Sequence, residues 1–201
     1  MYGLPQATII NQPLYKKTVF EKFNLKTVER ERFDADISKM ALVARISPAT
    51  VPALAEGQEI KGFYVLQVSL KQRDYDAKNI LLLQKLIPQK IVYALQFEEQ
   101  TQLCIFHTRL QQSGWVPTES ATIPLNGLSL DDVWNNIVAT IGGLDVQAKE
   151  TIEEQIIHRE QREKLLRQIE ALEKRARTEK QTRKKYELHQ QIIKLKEELG
   201  K

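Results

Sequence analysis

From Gln147 to Leu199 the chain contains neither glycine nor proline. The segment is dominated by Glu, Lys, Arg, Gln, Leu and Ile, residues that lose little side-chain freedom in a helix. It has none of the turn chemistry that a set of short strands would need. Residues 147–201 are therefore predicted to form a helical tail. Gly142-Gly143 stops the helix before it, which places the domain boundary at 142–146 and a separate body at residues 1–143.

Apolar spacing within the tail gives two seams. Ile152, Ile156, Leu165, Ile169, Leu172 and Ala176 recur at intervals of three and four, apart from the gap after Ile156. Leu188, Ile192, Leu195 and Leu199 do so again, but out of register: the first seam would continue through Glu179, Arg183, Tyr186 and Gln190. One solution is a single coiled-coil helix with a stutter. The other is a helical hairpin that bends in the polar stretch from Arg177 to Arg183. The hairpin is favoured, because the second seam is too short to be stable alone. Leu165, Ile169, Leu172, Leu188, Ile192, Leu195 and Leu199 are the candidate partner-binding residues.

The charge of the chain belongs to this tail. Residues 151–201 carry 14 Lys+Arg and 10 Asp+Glu, whereas residues 1–150 carry 16 of each, so the whole net charge of +4 lies in the last quarter. Lys174, Arg175, Arg177, Lys180, Arg183, Lys184 and Lys185 surround a single acid, Glu179. Such a run either keeps an exposed bend solvated or neutralises phosphates without regard to sequence. It holds no aromatic residue to stack on bases, so base-specific readout is not indicated.

The body reads as mixed α/β. Residues 1–13, with Gly3, Pro5 and Pro13, look like an extended arm. Residues 14–33 fit short helices broken near Asn24, and 36–46 is ambiguous between helix and strand. Leu66, Val68 and Leu70 alternate with Gln67 and Ser69 as in a strand. A helix capped by Asp74 or Asp76 follows, and Pro88 ends it. Lys90 to Phe97 and Thr101 to Leu110 are two further strands around the polar turn Glu98-Glu99-Gln100. The first two strands, joined by a helix, pair in parallel, and the last two form a hairpin. A mixed sheet with a strand-helix-strand-strand core results. An edge strand is expected around Ala121 to Leu125, and Ser129 caps a helix whose apolar face is Trp134, Ile137, Val138 and Ile141.

Catalytic signals are sparse. Cys104 is the one cysteine, set in an apolar strand and read as core, and it implies a reducing compartment. His107, His158 and His189 lack metal spacing. There is no GxxxxGK[ST], GxGxxG or GxSxG. No cofactor and no metal site is expected. Apolar runs are far shorter than the ~20 residues of a membrane span, and a cytoplasmic location is expected. The one cluster with chemical potential is Lys71-Gln72-Arg73-Asp74-Tyr75-Asp76, after the first clear strand, where α/β proteins place their sites. Lys71, Asp74 and Asp76 are the candidate catalytic residues of a divergent metal-dependent nuclease, whose carboxylates would hold Mg²⁺. The usual acid-x-lysine triplet is absent, and helix capping by the two aspartates is the competing reading.

The stretch from Leu70 to Asp76, then Leu86-Ile87-Pro88 with the strand after it, the opening Tyr2-Gly3-Leu4-Pro5 and the phrase from Glu179 to Leu195 resemble a bacterial domain-of-unknown-function family, number 4391. The chain departs from that pattern at Thr182 and His189, where it calls for asparagine. The resemblance implies a small bacterial protein encoded near helicases and DNA methyltransferases of restriction-like or phage-defence loci. It brings no catalytic residues. The expectation is therefore a non-enzymatic accessory subunit that docks on a larger partner, a helicase or methyltransferase, with DNA as a second ligand of the basic tail. A nuclease and a self-associating coiled-coil adaptor are the alternatives.

Overall fold

A computed structural model describes residues 1–148 and 150–200; Lys149 and Lys201 lie outside them. The chain divides into two compact units, Met1–Ile152 and Glu153–Lys201.

The first unit is built on a seven-stranded mixed sheet. Its strands are β1 (Ile9–Leu14), β2 (Ile37–Ile46), β3 (Phe63–Leu70), β4 (Lys90–Phe97), β5 (Gln100–His107), β6 (Arg109–Gln112) and β7 (Val116–Pro117). They lie in chain order from β1 to β6, and β7, off that path, pairs with the start of β5. Only β3 and β4 are parallel; the other pairs are antiparallel. The crossover between them is α3 (Ala77–Leu86), as the strand-helix-strand-strand pattern requires.

Three segments depart from the sequence reading, and a fourth that it left ambiguous is settled. The arm is not wholly extended coil: residues 9–14 form β1, an edge strand, because β2 supplies a backbone to pair with. The ambiguous segment 36–46 is β2 from Ile37 onward, held on both sides by β1 and β3. The strand expected through Leu110 breaks at Thr108, whose φ of 57° reverses the chain into β6. Residues 121–125 form no strand; the chain there is loop after a short 3-10 turn.

One sheet face is covered by α1 (Lys16–Phe23), α2 (Thr27–Asp36) and α3. Asn24, in the left-handed region with φ 46°, separates α1 from α2. Phe33, Ile37, Leu66, Leu83, Tyr93 and Leu95 are fully buried there. Each such side chain contributes about 1.5–3 kcal/mol on leaving water. The other face carries α4 (Leu130–Gly142), whose Trp134 meets Phe63 edge-on at 5.5 Å between ring centroids. Ser129 and Asp132 close a capping box at its start, and Gly143, with φ 62°, ends it in the conformation that favours glycine.

The second unit is a helical hairpin. α5 (Ile152–Thr178) and α6 (Thr182–Leu199) are separated by residues 179–181, within the polar stretch between the two seams. Ile169, Ala176 and Ile192 are buried between them, with Leu172, Leu188, Leu195 and Leu199 packed around. Lys196 Nζ reaches Glu173 Oε1 at 2.8 Å across the pair. No described helix is long and apolar enough to cross a membrane.

Candidate functional site

The register of β2 on β3 pairs Ile37 with Leu70. Asp36 therefore lands at the end of β3, beside the residues that lead into α3. Its carboxylate is almost fully buried and accepts three hydrogen bonds. Gln72 Nε2 donates to Oδ1 at 2.7 Å; the Asp76 backbone N–H and Asn79 Nδ2 donate to Oδ2 at 2.8 and 2.7 Å. The Asp36 carbonyl accepts from the Lys71 N–H at 2.8 Å. The start of α3 is the positive end of its dipole, which suits a buried anion.

The candidate catalytic residues take other parts. Asp76 caps α3, its Oδ1 accepting from the Lys78 N–H at 2.9 Å, and its Oδ2 lies 3.5 Å from Arg32 Nε. Asp74 and Lys71 are exposed. Arg73 stacks over Trp115 at 5.6 Å. Asp34, the other upstream acid, pairs with Lys16 at 2.6 Å. The fold thus brings Asp36 to the Lys71 and Asp76 backbone N–H groups and employs the Asp36 and Asp76 carboxylates as corner fasteners. Among the described residues no group of three or more His, Cys, Asp or Glu is placed to hold a metal ion.

Two further polar networks escaped the sequence reading. Tyr75 Oη donates to Gln102 Oε1 at 2.8 Å, accepts from Gln112 Nε2 at 2.6 Å and lies 3.7 Å from Cys104 Sγ. Burial pushes the Cys104 thiol up to about 12, against the opposing pull of its Tyr75 and Gln112 hydrogen bonds. Burial, then the neighbouring Cys104, raises Tyr75 and Tyr93 as well. On the opposite face Tyr2, Gln67 and Gln96 close a triangle: Tyr2 Oη donates to Gln67 at 3.3 Å, Gln67 to Gln96 at 2.6 Å and Gln96 back to Tyr2 at 3.1 Å. The one sequence signal for the Asp36 corner was an asparagine, Asn79, on the apolar face of α3.

The tail residues separate into two groups. Ile169, Leu172, Leu188, Ile192, Leu195 and Leu199 pack on one another inside the hairpin, so their apolar surface serves the fold of the tail itself. Leu165 is half-buried farther along α5. The cations gather at the hairpin tip and all are exposed. Arg175 and Arg177 lie in the last turn of α5, Lys180 in the bend, and Arg183, Lys184 and Lys185 in the first turn of α6. Lys174 pairs with Glu170 at 2.9 Å and Arg183 with Glu187 at 3.2 Å. Arg175, Lys180, Lys184 and Lys185 pair with no described carboxylate. The first turn of α6 contains no acid, so three cations crowd the positive end of a helix dipole, where cations are unfavourable.

A family model described as a domain of unknown function, DUF4391, matches residues 2–199. The chain belongs to the DUF4391 family. No curated protein and no solved structure matches it. In this DUF4391 chain the family match runs through both the β3–α3 corner and the cationic tip.

Proposed function

We propose that this DUF4391 chain is a non-enzymatic interaction subunit of a bacterial DNA-processing or phage-defence complex, the setting that the family resemblance implies. The α/β unit and the hairpin are its docking elements, and the tip contacts the phosphate backbone. The observation that carries this reading is the exposed cation cluster at the start of α6. Stability alone argues against cations at that end of a helix, whereas a bound phosphate would meet both the cations and the open N–H groups of the first turn. The Asp36 and Asp76 carboxylates are already committed to the corner, which leaves the exposed Lys71 with no acid partner there.

The test is binding of a fluorescein-labelled DNA duplex to the full-length protein as salt is varied. If Arg175, Lys180, Lys184 and Lys185 each meet a phosphate, log K falls against log salt with a slope of about −3.6, near 10²-fold between 50 and 200 mM. Substituting Lys180→Glu and Lys184→Glu together should flatten that slope by about 1.8. An unchanged slope, or no binding at the low-salt limit, refutes the phosphate contact. A pull-down from the native host, with and without nuclease, then asks whether a helicase or methyltransferase stays bound once DNA is removed.

A further inference from the structure

Two grooves along the hairpin are unlike each other. One, of about 490 Å³, has a floor of Ala176, Ile192 and Ile193 and is walled by Arg177, Lys185, His189 and Lys196. Its single acid, Glu173, is held by Lys196 at 2.8 Å and lies in the field of Arg177, which together hold its carboxyl below the usual glutamate value. The other groove, of about 500 Å³, balances Lys194 against Glu198 over Ala171, Leu172 and Leu195. Only the first joins an apolar floor to an excess of positive charge. Ile193 in that floor is 49% exposed, although its neighbour Ile192 is almost completely buried between the helices.

We infer that this cationic groove takes an acidic amphipathic helix of a partner protein. The helix would lay apolar side chains at i, i+3, i+4 and i+7 on Ala176, Ile192 and Ile193. Its flanking Asp and Glu would face Arg177, Lys185 and Lys196. A third helix packed on two completes a three-layered apolar seam, which a two-helix hairpin lacks. A DNA backbone matches the cations but leaves Ile193 wet, so the apolar floor distinguishes a protein helix from nucleic acid as the occupant. The inference deepens the interaction-subunit reading and rests on it; the groove shares Lys185 with the phosphate contact but adds Ile193, Arg177 and Lys196. Ile193 lines the groove, whereas Lys180 and Lys184 do not.

The probe is a phage-displayed library of helix-forming peptides of about five turns, varied at apolar and flanking positions and selected on the full-length protein. Enriched peptides are expected to be apolar at the seam positions and acid-rich beside them. Their affinity, read by fluorescence anisotropy, should fall at least about tenfold with Ile193→Asp and, separately, with Lys185→Glu, and by less than twofold with Lys194→Glu in the opposite groove. Ile193 is half exposed, so its substitution spares the hairpin core; circular dichroism checks this, and Lys185→Glu repeats the test at a solvent position. No enrichment, enrichment without acid bias, or binding that survives Ile193→Asp overturns the inference. So does a wild-type dimer that Ile193→Asp dissociates, because the groove would then hold a second copy of this chain. The Lys180→Glu, Lys184→Glu variant should keep peptide binding while its DNA binding weakens and its salt slope flattens, which separates failure of this inference from failure of the phosphate contact.

Discussion

Replacing Asp36 tests whether the β3–α3 corner is a fastener. Asp36→Ala strands three donors. Gln72 is exposed and can turn to water, but Asn79 is 1% exposed and the Asp76 N–H is part-buried. Asn79 Oδ1 already lacks a partner, so the loss of Asp36 leaves that amide wholly unsatisfied. Two stranded donors at about 1–3 kcal/mol each, with the loss of a charge-assisted bond, give about 3–5 kcal/mol. Asp36→Asn is expected to behave differently. With its oxygen in the Oδ2 place it keeps the Asp76 and Asn79 donors, and its NH₂ group faces Gln72, whose amide can reverse. A cost of about 1–2 kcal/mol follows. Urea denaturation read by tryptophan fluorescence is the assay, since Trp115 and Trp134 both lie in the unit Met1–Ile152 and report on it alone. At an m value of about 2 kcal/mol/M, Asp36→Ala lowers the midpoint by about 1.5–2.5 M and Asp36→Asn by under about 1 M. Equal damage from both, or none from either, refutes the reasoning. A silent Asp36→Asn with lost biological activity would instead make the carboxylate functional.

Three further outcomes follow from the structure. Asp131 accepts the N–H groups of Gln58, Glu59 and Ile60. Desolvation raises its carboxyl, but these bonds and Lys61 outweigh it and hold it below 3.8. A depressed folded-state value means stabilisation that is present above the unfolded pKa and lost as pH falls through the folded one. The gap in urea midpoint between wild type and Asp131→Asn should therefore close as pH falls below about 4, the ordinary carboxylate value; a gap that persists in strong acid contradicts it. Gly127 has φ 144°, and a Cβ there would sit 2.6 Å from Asp132 Cβ and 2.9 Å from the Val133 nitrogen. Gly127→Ala should cost at least about 2 kcal/mol through strain and collision with the start of α4, measured as a lowered urea midpoint. Cys104, buried and with its thiol pushed up to about 12, should react with a disulfide reagent only as fast as the protein opens; rapid labelling of the native state would show an accessible thiol.

The sequence by itself determined the local elements. Alternation in β3, the apolar face of α3, the cap and glycine stop of α4, and the unbroken helix formers of the tail are patterns read within a few turns or a few residues. The hairpin was one of the two solutions that the sequence offered, because two seams out of register require either a stutter or a bend. Only the tertiary structure decided which distant groups meet. Asp36 binds partners 36 to 43 residues away, and nothing near Asp36 in sequence says that β2 will lie antiparallel to β3 with Ile37 opposite Leu70. The strand identity of residues 9–14 and 37–46 was set in the same way, by the neighbours that pair with their backbones. Periodicity encodes which side of an element is buried, but not what it is buried against. The corner carboxylates and the contrast between the two hairpin grooves depend on that second kind of information.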